Sequence, residues 1–249
     1  MKKPRILIYD VETRPVLAWI WRTGYKLNID HSQILKGQKF DIICICYKWL
    51  GEKKVHTLKW DSDQNSAAMI EAFTKVIESA DLAVAHNGDA FDQKQINTQR
   101  LLHNQKPIAW PSTEDTLKQL RRTFAMPSYK LDYIAKLLTG SGKDPMCFQD
   151  WIDIVQHNSS KALKKMIKYC CKDVLKLESV FKRVSPYLKP KIHVGLIKHE
   201  SQVGCPRCGS EEAVKHGVAK TLSGIYQRFQ CKSCHTVFRG KKSLIVKAR

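Results

Sequence analysis

An apolar run ends in two acidic residues in the sequence RILIYDVE, at positions 5–12. The run before Asp10 is apolar at successive positions, which is typical of a central strand buried on both faces. Residues two apart in a strand point to the same face, so Asp10 and Glu12 should lie side by side at the strand end. Two such carboxylates repel each other unless a cation lies between them.

A divalent metal ion accounts for this pair, because hard oxygen ligands suit Mg²⁺ or Mn²⁺. The alternative is that Asp10 caps a turn and Glu12 is solvated. Asp-x-Glu is a common tripeptide, so the pair alone does not decide between the two.

The rest of the pattern predicts strands first and helices afterwards. Further strands are expected at 42–49, 54–60 and 82–85. A helix is expected within 65–80, and from about residue 91 the pattern is largely helical, ending in a long helix at 160–184. This order predicts an α/β or α+β fold with a mixed sheet flanked by helices.

A second acidic motif, NGDAFD at 87–92, directly follows the strand expected at 82–85. Ligands gather at strand ends in sheets of this kind. Gly88 is expected to permit an unusual backbone turn, Phe91 offers an apolar platform, and Asp92 falls in the first helical turn. The alternative is a loop whose Asp89 or Asp92 caps the helix.

A third element lies inside the long final helix, where Tyr169 and Asp173 are four residues apart. This spacing places both on one flank of the helix's apolar stripe. A phenol and a carboxylate there can face a site beside the sheet. The alternative is a tyrosine packed at the core edge and a solvated aspartate.

The order Asp-x-Glu, Asn-Gly-x-x-Phe-Asp and Tyr-x-x-x-Asp resembles the three exonuclease motifs of the DEDD superfamily. The Tyr-Cys-x-x-Asp form of the last motif is more closely similar to the 3′–5′ proofreading domain of family-B DNA polymerases. The stretch 115–143, with YKLDY at 129–133, also resembles the segment before the third motif there. The resemblance covers about residues 5–185 and implies a ribonuclease-H-like fold and a two-metal 3′–5′ exonuclease.

The resemblance implies that four carboxylates hold the two ions. Asp10, Glu12 and Asp173 would bind the ion that activates water. Asp10 would also touch the second ion, which Asp92 would hold, in part through water. Phosphodiester hydrolysis independently requires an in-line hydroxide and charge stabilisation on both sides, which two ions about 3.5–4 Å apart supply.

The resemblance also assigns residues around the metal ions. Tyr169 would orient the attacking water. Some relatives instead carry a histidine five residues before the last aspartate; Lys168 occupies that position here, which indicates the tyrosine (DEDDy) subtype. Asn87 and Phe91 would line the path of the terminal nucleotide, and Lys143 lies where some polymerase-type exonucleases carry a site lysine.

Two Cys-x-x-Cys pairs separated by 22 residues lie near the C-terminus: Cys205, Cys208, Cys231 and Cys234. Four thiolates at this spacing predict one closed, tetrahedral structural zinc site. So short a segment buries too little apolar surface to fold alone, so the metal would supply the folding energy. His216 and His235 are alternative ligands, and disulfides or redox pairs are the alternative chemistry.

The same segment resembles zinc ribbons, especially those at the N-termini of some bacterial transposases, which bind DNA. Residues 187–249 carry 13 Lys and Arg against 3 Asp and Glu, 13 − 3 = +10. We expect aromatic residues inside the ribbon and basic residues on phosphate, although the charges could equally form a solvated face. The residues concerned are Tyr226, Phe229, Phe238, Arg228, Lys232, Arg239, Lys241 and Lys242.

The whole chain of 249 residues carries a formal charge of +20. Such an excess indicates a polyanionic partner, because each neutralised phosphate releases counterions. An anionic membrane is the competing partner, but no apolar run approaches a membrane span and the N-terminus lacks the apolar core of a signal peptide. The nine cysteines are odd in number and the tight pairs have metal-like spacing, which favours a reducing, cytoplasmic compartment.

Two further groups of residues have no assigned role. Cys44 and Cys46 share one strand face and are expected in the core. Four tryptophans are open to either packing or base stacking: Trp19, Trp21, Trp49 and Trp60.

The sequence therefore predicts a ribonuclease-H-like 3′–5′ exonuclease domain at 1–186, a linker at 187–202 and a zinc ribbon with a basic tail at 203–249. Expected cofactors are two Mg²⁺ or Mn²⁺ ions and one Zn²⁺. The expected partner is DNA, with RNA as an alternative and single strands preferred. We expect a monomer from a bacterial or phage-infected cell that works beside a DNA polymerase or other replication or recombination proteins.

Two other functions fit parts of the pattern. A transposase or integrase combines a zinc module with a ribonuclease-H-like core, but it needs a final glutamate downstream of a second aspartate. A catalytically inactive module that binds DNA ends is the second, and the intact carboxylates at every motif position argue against it.

Overall fold

The computed structural model describes residues 4–24, 27–140, 146–199 and 204–245. Five strands form one sheet: β1 (Ile6–Thr13), β2 (Ile42–Trp49), β3 (His56–Lys59), β4 (Leu82–Ala85) and β5 (Ser112–Asp115). Their order is β3-β2-β1-β4-β5. β1 pairs antiparallel with β2 and parallel with β4, so the sheet is mixed, as predicted.

Helices lie on both faces of this sheet. Within the described residues they are α1 (Ala67–Ile77), α2 (Asp92–Leu102), α3 (Thr116–Thr123), α4 (Leu131–Thr139), α5 (Phe148–His157), α6 (Ser160–Val184) and α7 (Val194–His199). α1 packs its buried residues Ile70 and Phe73 against one face, and α6 packs Met166 and Val174 against the other.

The pleat of β1 decides which face receives the acidic residues. Leu7 and Tyr9 join the core on the α1 side, whereas Ile6 and Ile8 join the core on the α6 side. Because side chains alternate along a strand, Asp10 and Glu12 continue the row of Ile6 and Ile8. The acidic pair therefore points toward the face that α6 covers.

Most predicted elements have the expected bounds, including β2, β4 and α6. β3 and α1 are shorter than expected, which is usual at element ends because they fray. The sequence pattern missed β5, whose residues Ser-Thr-Glu-Asp have no apolar alternation. It forms because it pairs in parallel with the buried strand β4.

The C-terminal segment forms a separate antiparallel sheet in the order β6-β7-β8. These strands are β6 (Ala213–Thr221), β7 (Gly224–Cys231) and β8 (Val237–Ile245). The stretch expected as a linker contains α7, and its backbone contacts the module: the Val194 amide donates to the carbonyl of Pro206 at 2.9 Å. Arg207 Nη2 donates to the carbonyl of Leu188 at 2.8 Å.

Across the described ranges, none of the helices combines the length and apolar character needed to cross a bilayer.

Candidate active site and zinc centre

Asp10 and Glu12 lie at the end of β1, opposite Cys46 and Cys44 of β2. A carboxylate oxygen of each lies within 4.8 Å of the other and of the Cys170 sulfur. Cys170 comes from α6, and its thiol contacts Asp10 Oδ2 at 3.6 Å. β1 therefore presents both carboxylates directly to α6, the helix that carries Tyr169 and Asp173.

The loop before α2 brings Asp92 to the same strand end. Its left-handed residue is Asn87, with φ of 73°, and not Gly88 as the sequence suggested. Asparagine tolerates this conformation better than most residues. Glycine is needed at 88 for another reason, since a Cβ there would lie 2.5 Å from Ala85 Cβ.

Asp92 is the first residue of α2, and only 3% of it is exposed. Its carboxylate accepts hydrogen bonds from its own amide and from the amide of Val11, the residue between Asp10 and Glu12. Burial raises the pKa of Asp92 to about 7, and the nearby charge of Asp115 adds to the rise. Asp92 is thus held against β1 in an environment that disfavours its charge.

Tyr169 and Asp173 come from α6, on the flank that faces β1. The Tyr169 hydroxyl donates to the Asp173 carboxylate. Burial raises the pKa of Tyr169 well above its usual value, as do the charges of Asp173 and Glu12. A phenol and a carboxylate four residues apart therefore stand beside Glu12.

A buried lysine compensates part of this negative charge. Lys176, one helical turn after Asp173, donates to Asp132 of α4 at 2.9 Å and to Asp173 at 3.3 Å. Neither Lys176 nor Asp132 has a role predicted from the sequence. The signal was available, because a lysine at i+3 from a site aspartate reaches it on a helix.

Three acidic residues, from three different motifs of the chain, converge on Asp10. Burial raises the pKa of Asp10 well above its usual value, and the charges of Asp92, Glu12 and Asp173 raise it further. Among the described residues, Asp92 and Asp173 do not belong to the tight group formed by Asp10, Glu12 and Cys170. Asp92 and Asp173 thus lie near enough to Asp10 to raise its pKa, but outside the group whose ligand atoms are all within 4.8 Å of one another.

The raised pKa of Asp92 predicts how stability depends on pH without magnesium. An acid whose folded-state pKa is raised from 3.8 to about 7 destabilises the fold as pH rises between these values, because only the unfolded chain ionises freely. Asp92→Asn should therefore gain about 2–4 kcal/mol of unfolding free energy over wild type at pH 7.5.

Urea titrations in magnesium-free buffer at several pH values measure this difference. The advantage of Asp92→Asn should shrink toward pH 4, and adding Mg²⁺ should narrow it at pH 7.5. A difference that does not change with pH would contradict this account of the site.

Four thiols lie directly behind the acidic pair. The sequence did not reveal this arrangement. Cys44, Cys46 and Cys170 are fully buried, and their sulfurs lie within 4.8 Å of one another. Cys171 lies 3.5 Å from Cys46, sulfur to sulfur. The expectation that Cys44 and Cys46 are core residues is confirmed, and Cys170 adds a direct contact to Asp10.

The other residues expected near a substrate have different placements. Asn87 donates its backbone amide to Asp115 Oδ1 at 3.0 Å. Phe91 precedes α2 and is 38% exposed, so its ring is available to a ligand. Lys143 lies outside the described residues.

The four C-terminal cysteines form a second candidate metal centre. The sulfurs of Cys205, Cys208, Cys231 and Cys234 lie within 4.8 Å of one another. The amide of Arg207 donates to the Cys205 sulfur at 3.4 Å. Four converging sulfurs, with an amide hydrogen bond to that of Cys205, fit a tetrahedral Zn²⁺ site.

The aromatic residues of this module are only partly buried, and basic residues surround them. Phe229 and Phe238 stack with ring centroids 5.7 Å apart. The Arg239 guanidinium lies over the Tyr226 ring, 4.2 Å from its centroid. The exposed cations on this module include Arg228, Lys232, Lys241 and Lys242.

None of the curated proteins compared with this chain matches its sequence. Among solved structures, the chain is similar to the family B DNA polymerase of the hyperthermophilic archaeon Pyrobaculum calidifontis. The TM-score is 0.56 at 12% identity, over 90% of this chain and 32% of the polymerase. At this identity the likeness shows the fold alone, and the chain spans about a third of the polymerase.

One family model matches residues 27–185, from the middle of the β1–β2 connection to the residue after α6. The match includes Asp92 and Asp173 and begins after Asp10 and Glu12. It covers more than half of the chain and agrees with the mixed sheet and its flanking helices. This chain belongs to the RNase_H superfamily.

Proposed function

We propose that this chain is a metal-dependent 3′–5′ exonuclease of the DEDDy type that hydrolyses phosphodiester bonds at the 3′ end of DNA. The observation that carries the proposal is the convergence of Glu12, Asp92 and Asp173 on Asp10, whose pKa their charges raise. Buried carboxylates that raise one another's pKa suit divalent cations, which relieve the repulsion.

In this proposal Asp10, Glu12, Asp92 and Asp173 hold two Mg²⁺ or Mn²⁺ ions. Bound at these carboxylates, the ions supply a hydroxide nucleophile and stabilise charge on the leaving oxygen. The protein's own contribution is to fix the carboxylates: the Val11 amide binds Asp92, and the Cys170 thiol contacts Asp10.

Tyr169 positions the attacking water in this mechanism, because its hydroxyl already reaches the Asp173 carboxylate. The phenol is not a metal ligand, so Tyr169→Phe should lower turnover by only about 10- to 100-fold. Turnover at saturating DNA and magnesium measures this loss, and the magnesium concentration for half-maximal rate should stay the same. A loss of turnover as large as that caused by replacing a proposed metal ligand would contradict a positioning role for Tyr169.

The substrate side of the proposal rests on shape and charge. Exposed Phe91 beside Asp92 offers a face for the terminal base, and a frayed end reaches this site more readily than a paired one. The cysteine module contributes a zinc ribbon, similar to those of transposases, whose cations bind phosphate. A polymerase or another replication or recombination protein is the proposed protein partner.

One assay tests reaction and substrate class together. Purified protein is incubated with 5′-labelled single-stranded DNA, duplex DNA and RNA, with and without Mg²⁺, beside a circular single strand of the same sequence. We expect a magnesium-dependent ladder that shortens from the 3′ side of linear single-stranded DNA, and an intact circle. Cleavage of the circle would overturn the assignment as an exonuclease.

The same assay separates the other candidate functions. Strand-transfer products from a paired-end DNA substrate would favour a transposase or integrase. Tight binding of DNA ends without turnover, with or without magnesium, would favour a non-catalytic module.

A further inference from the structure

Residues 14–24 and 27–41 belong to an arm between β1 and β2. Its base is closed by the Arg14 amide, which donates to the carbonyl of Asp41 at 2.9 Å. Further out, the Trp19 amide donates to the carbonyl of Gln33 at 2.8 Å, and the Gln33 side chain returns a bond to the carbonyl of Trp19 at 3.1 Å. The backbone of Trp19 is therefore held by hydrogen bonds at both its amide and its carbonyl.

The arm exposes two of the tryptophans whose role the sequence left open. Trp60 is 2% exposed and belongs to the core, and Trp49 is covered by the Arg5 guanidinium. In contrast, Trp19 is 76% exposed and Trp21 is completely exposed. Neighbouring apolar side chains on the arm, including Ile20 and Phe40, are also exposed. Grouped exposed apolar side chains mark an interaction surface.

The charge of the arm indicates the kind of partner. Residues 14–41 contain five lysines and arginines against two aspartates and no glutamate. Arg22, Lys36 and Lys39 are exposed, whereas Asp30 uses its carboxylate to cap the short helix at His31–Gln33. Exposed aromatic rings among cations match single-stranded nucleic acid, whose bases stack on the rings while its phosphates meet the cations. A paired base cannot stack in this way.

The arm also lies close to the candidate active site. It leaves β1 directly after Asp10 and Glu12, and the Gln99 side chain of α2 holds its base through the carbonyl of Phe40 at 2.7 Å. The seven residues from Glu12 to Trp19 span at most about 25 Å. A stacked strand rises about 3.4 Å per nucleotide, so Trp19 lies within about seven nucleotides of the acidic cluster.

We propose that Trp19 and Trp21 form a stacking platform for unpaired bases several nucleotides upstream of the 3′ end that occupies the acidic site. The platform rests on the proposed exonuclease function, because that function fixes which end of the strand enters the site. Contacts between this platform and the strand, outside the acidic site, would make long single strands the preferred substrate.

The test uses the full chain carrying Trp19→Ala and Trp21→Ala, measured on single strands of 12 and 3 nucleotides. Loss of stacking should weaken binding of the 12-mer by about 5- to 100-fold. The KM for the 12-mer should rise while kcat stays the same, and the 3-mer should be cleaved as by wild type. Leu101→Ala removes a side chain of similar exposure, 77%, from the far end of α2 and should change nothing.

Binding is measured separately in a chain that also carries Asp10→Ala, so that failure of catalysis and failure of the platform are distinguishable. Tryptophan fluorescence should be quenched by the single-stranded 12-mer, with DNA and RNA compared. The quench should disappear when Trp19→Ala and Trp21→Ala are added to Asp10→Ala. Trp19→Phe with Trp21→Phe should restore most of the affinity. The proposal would be overturned if the alanine variant lost equal affinity for duplex and single-stranded DNA, or lost no affinity for the 12-mer.

Discussion

Asp10→Ala should reduce magnesium-dependent DNA hydrolysis by at least about 1000-fold. Asp10 is the residue on which the other three carboxylates converge, so its loss disturbs both proposed metal positions. Metal ions supply several kcal/mol of transition-state stabilisation, and each 1.36 kcal/mol is a factor of ten in rate. Single-turnover cleavage of 5′-labelled single-stranded DNA measures the loss.

DNA affinity should remain close to that of wild type in Asp10→Ala, because the cationic surfaces proposed to bind phosphate are unchanged. The matched control is Glu52→Ala, an exposed acidic residue in the turn after β2, at the opposite end of the sheet. Wild-type turnover in Asp10→Ala would remove Asp10 from the mechanism and with it the proposed function. A fall in turnover in both Asp10→Ala and Glu52→Ala would indicate general damage to the fold.

Cys205→Ser should release the zinc and unfold the C-terminal module. A structural zinc site contributes about 10–16 kcal/mol of apparent binding free energy, which a three-stranded sheet with few buried residues cannot replace. Zinc content should fall from about one ion per chain to nearly none. Amide exchange should become rapid across β6, β7 and β8 while the central sheet stays protected.

The same variant should bind DNA at least about tenfold more weakly at physiological salt, with a shallower dependence of affinity on salt. Half of the net charge belongs to residues 187–249, and the phosphate contacts proposed for this charge require a folded module. Cys147→Ser is the control, since Cys147 is an exposed free cysteine at the start of α5, outside the C-terminal module. Unchanged zinc content in Cys205→Ser would mean that this thiol is not a ligand.

Elements with strong local patterns were predictable from sequence, and those formed by pairing were not. The apolar runs of β2 and β4 and the stripe of α6 lie where expected, because burial of such patterns is nearly independent of the rest of the chain. β5 is polar and exists only because β4 offers it an edge. The need for a glycine at position 88 was predicted for the wrong reason. A side chain there would approach Ala85 too closely across the loop.

By itself, the sequence determined the type of sheet, the shared face of Asp10 and Glu12 and the two cysteine pairs, because each follows from short-range periodicity or spacing. Only the tertiary structure decided which residues meet across the chain. The contact of Cys170 with Asp10, the bridge from Lys176 to Asp132 and the exposure of Trp19 are of this kind. Each depends on how separate elements dock, and local sequence patterns carry no information on that docking.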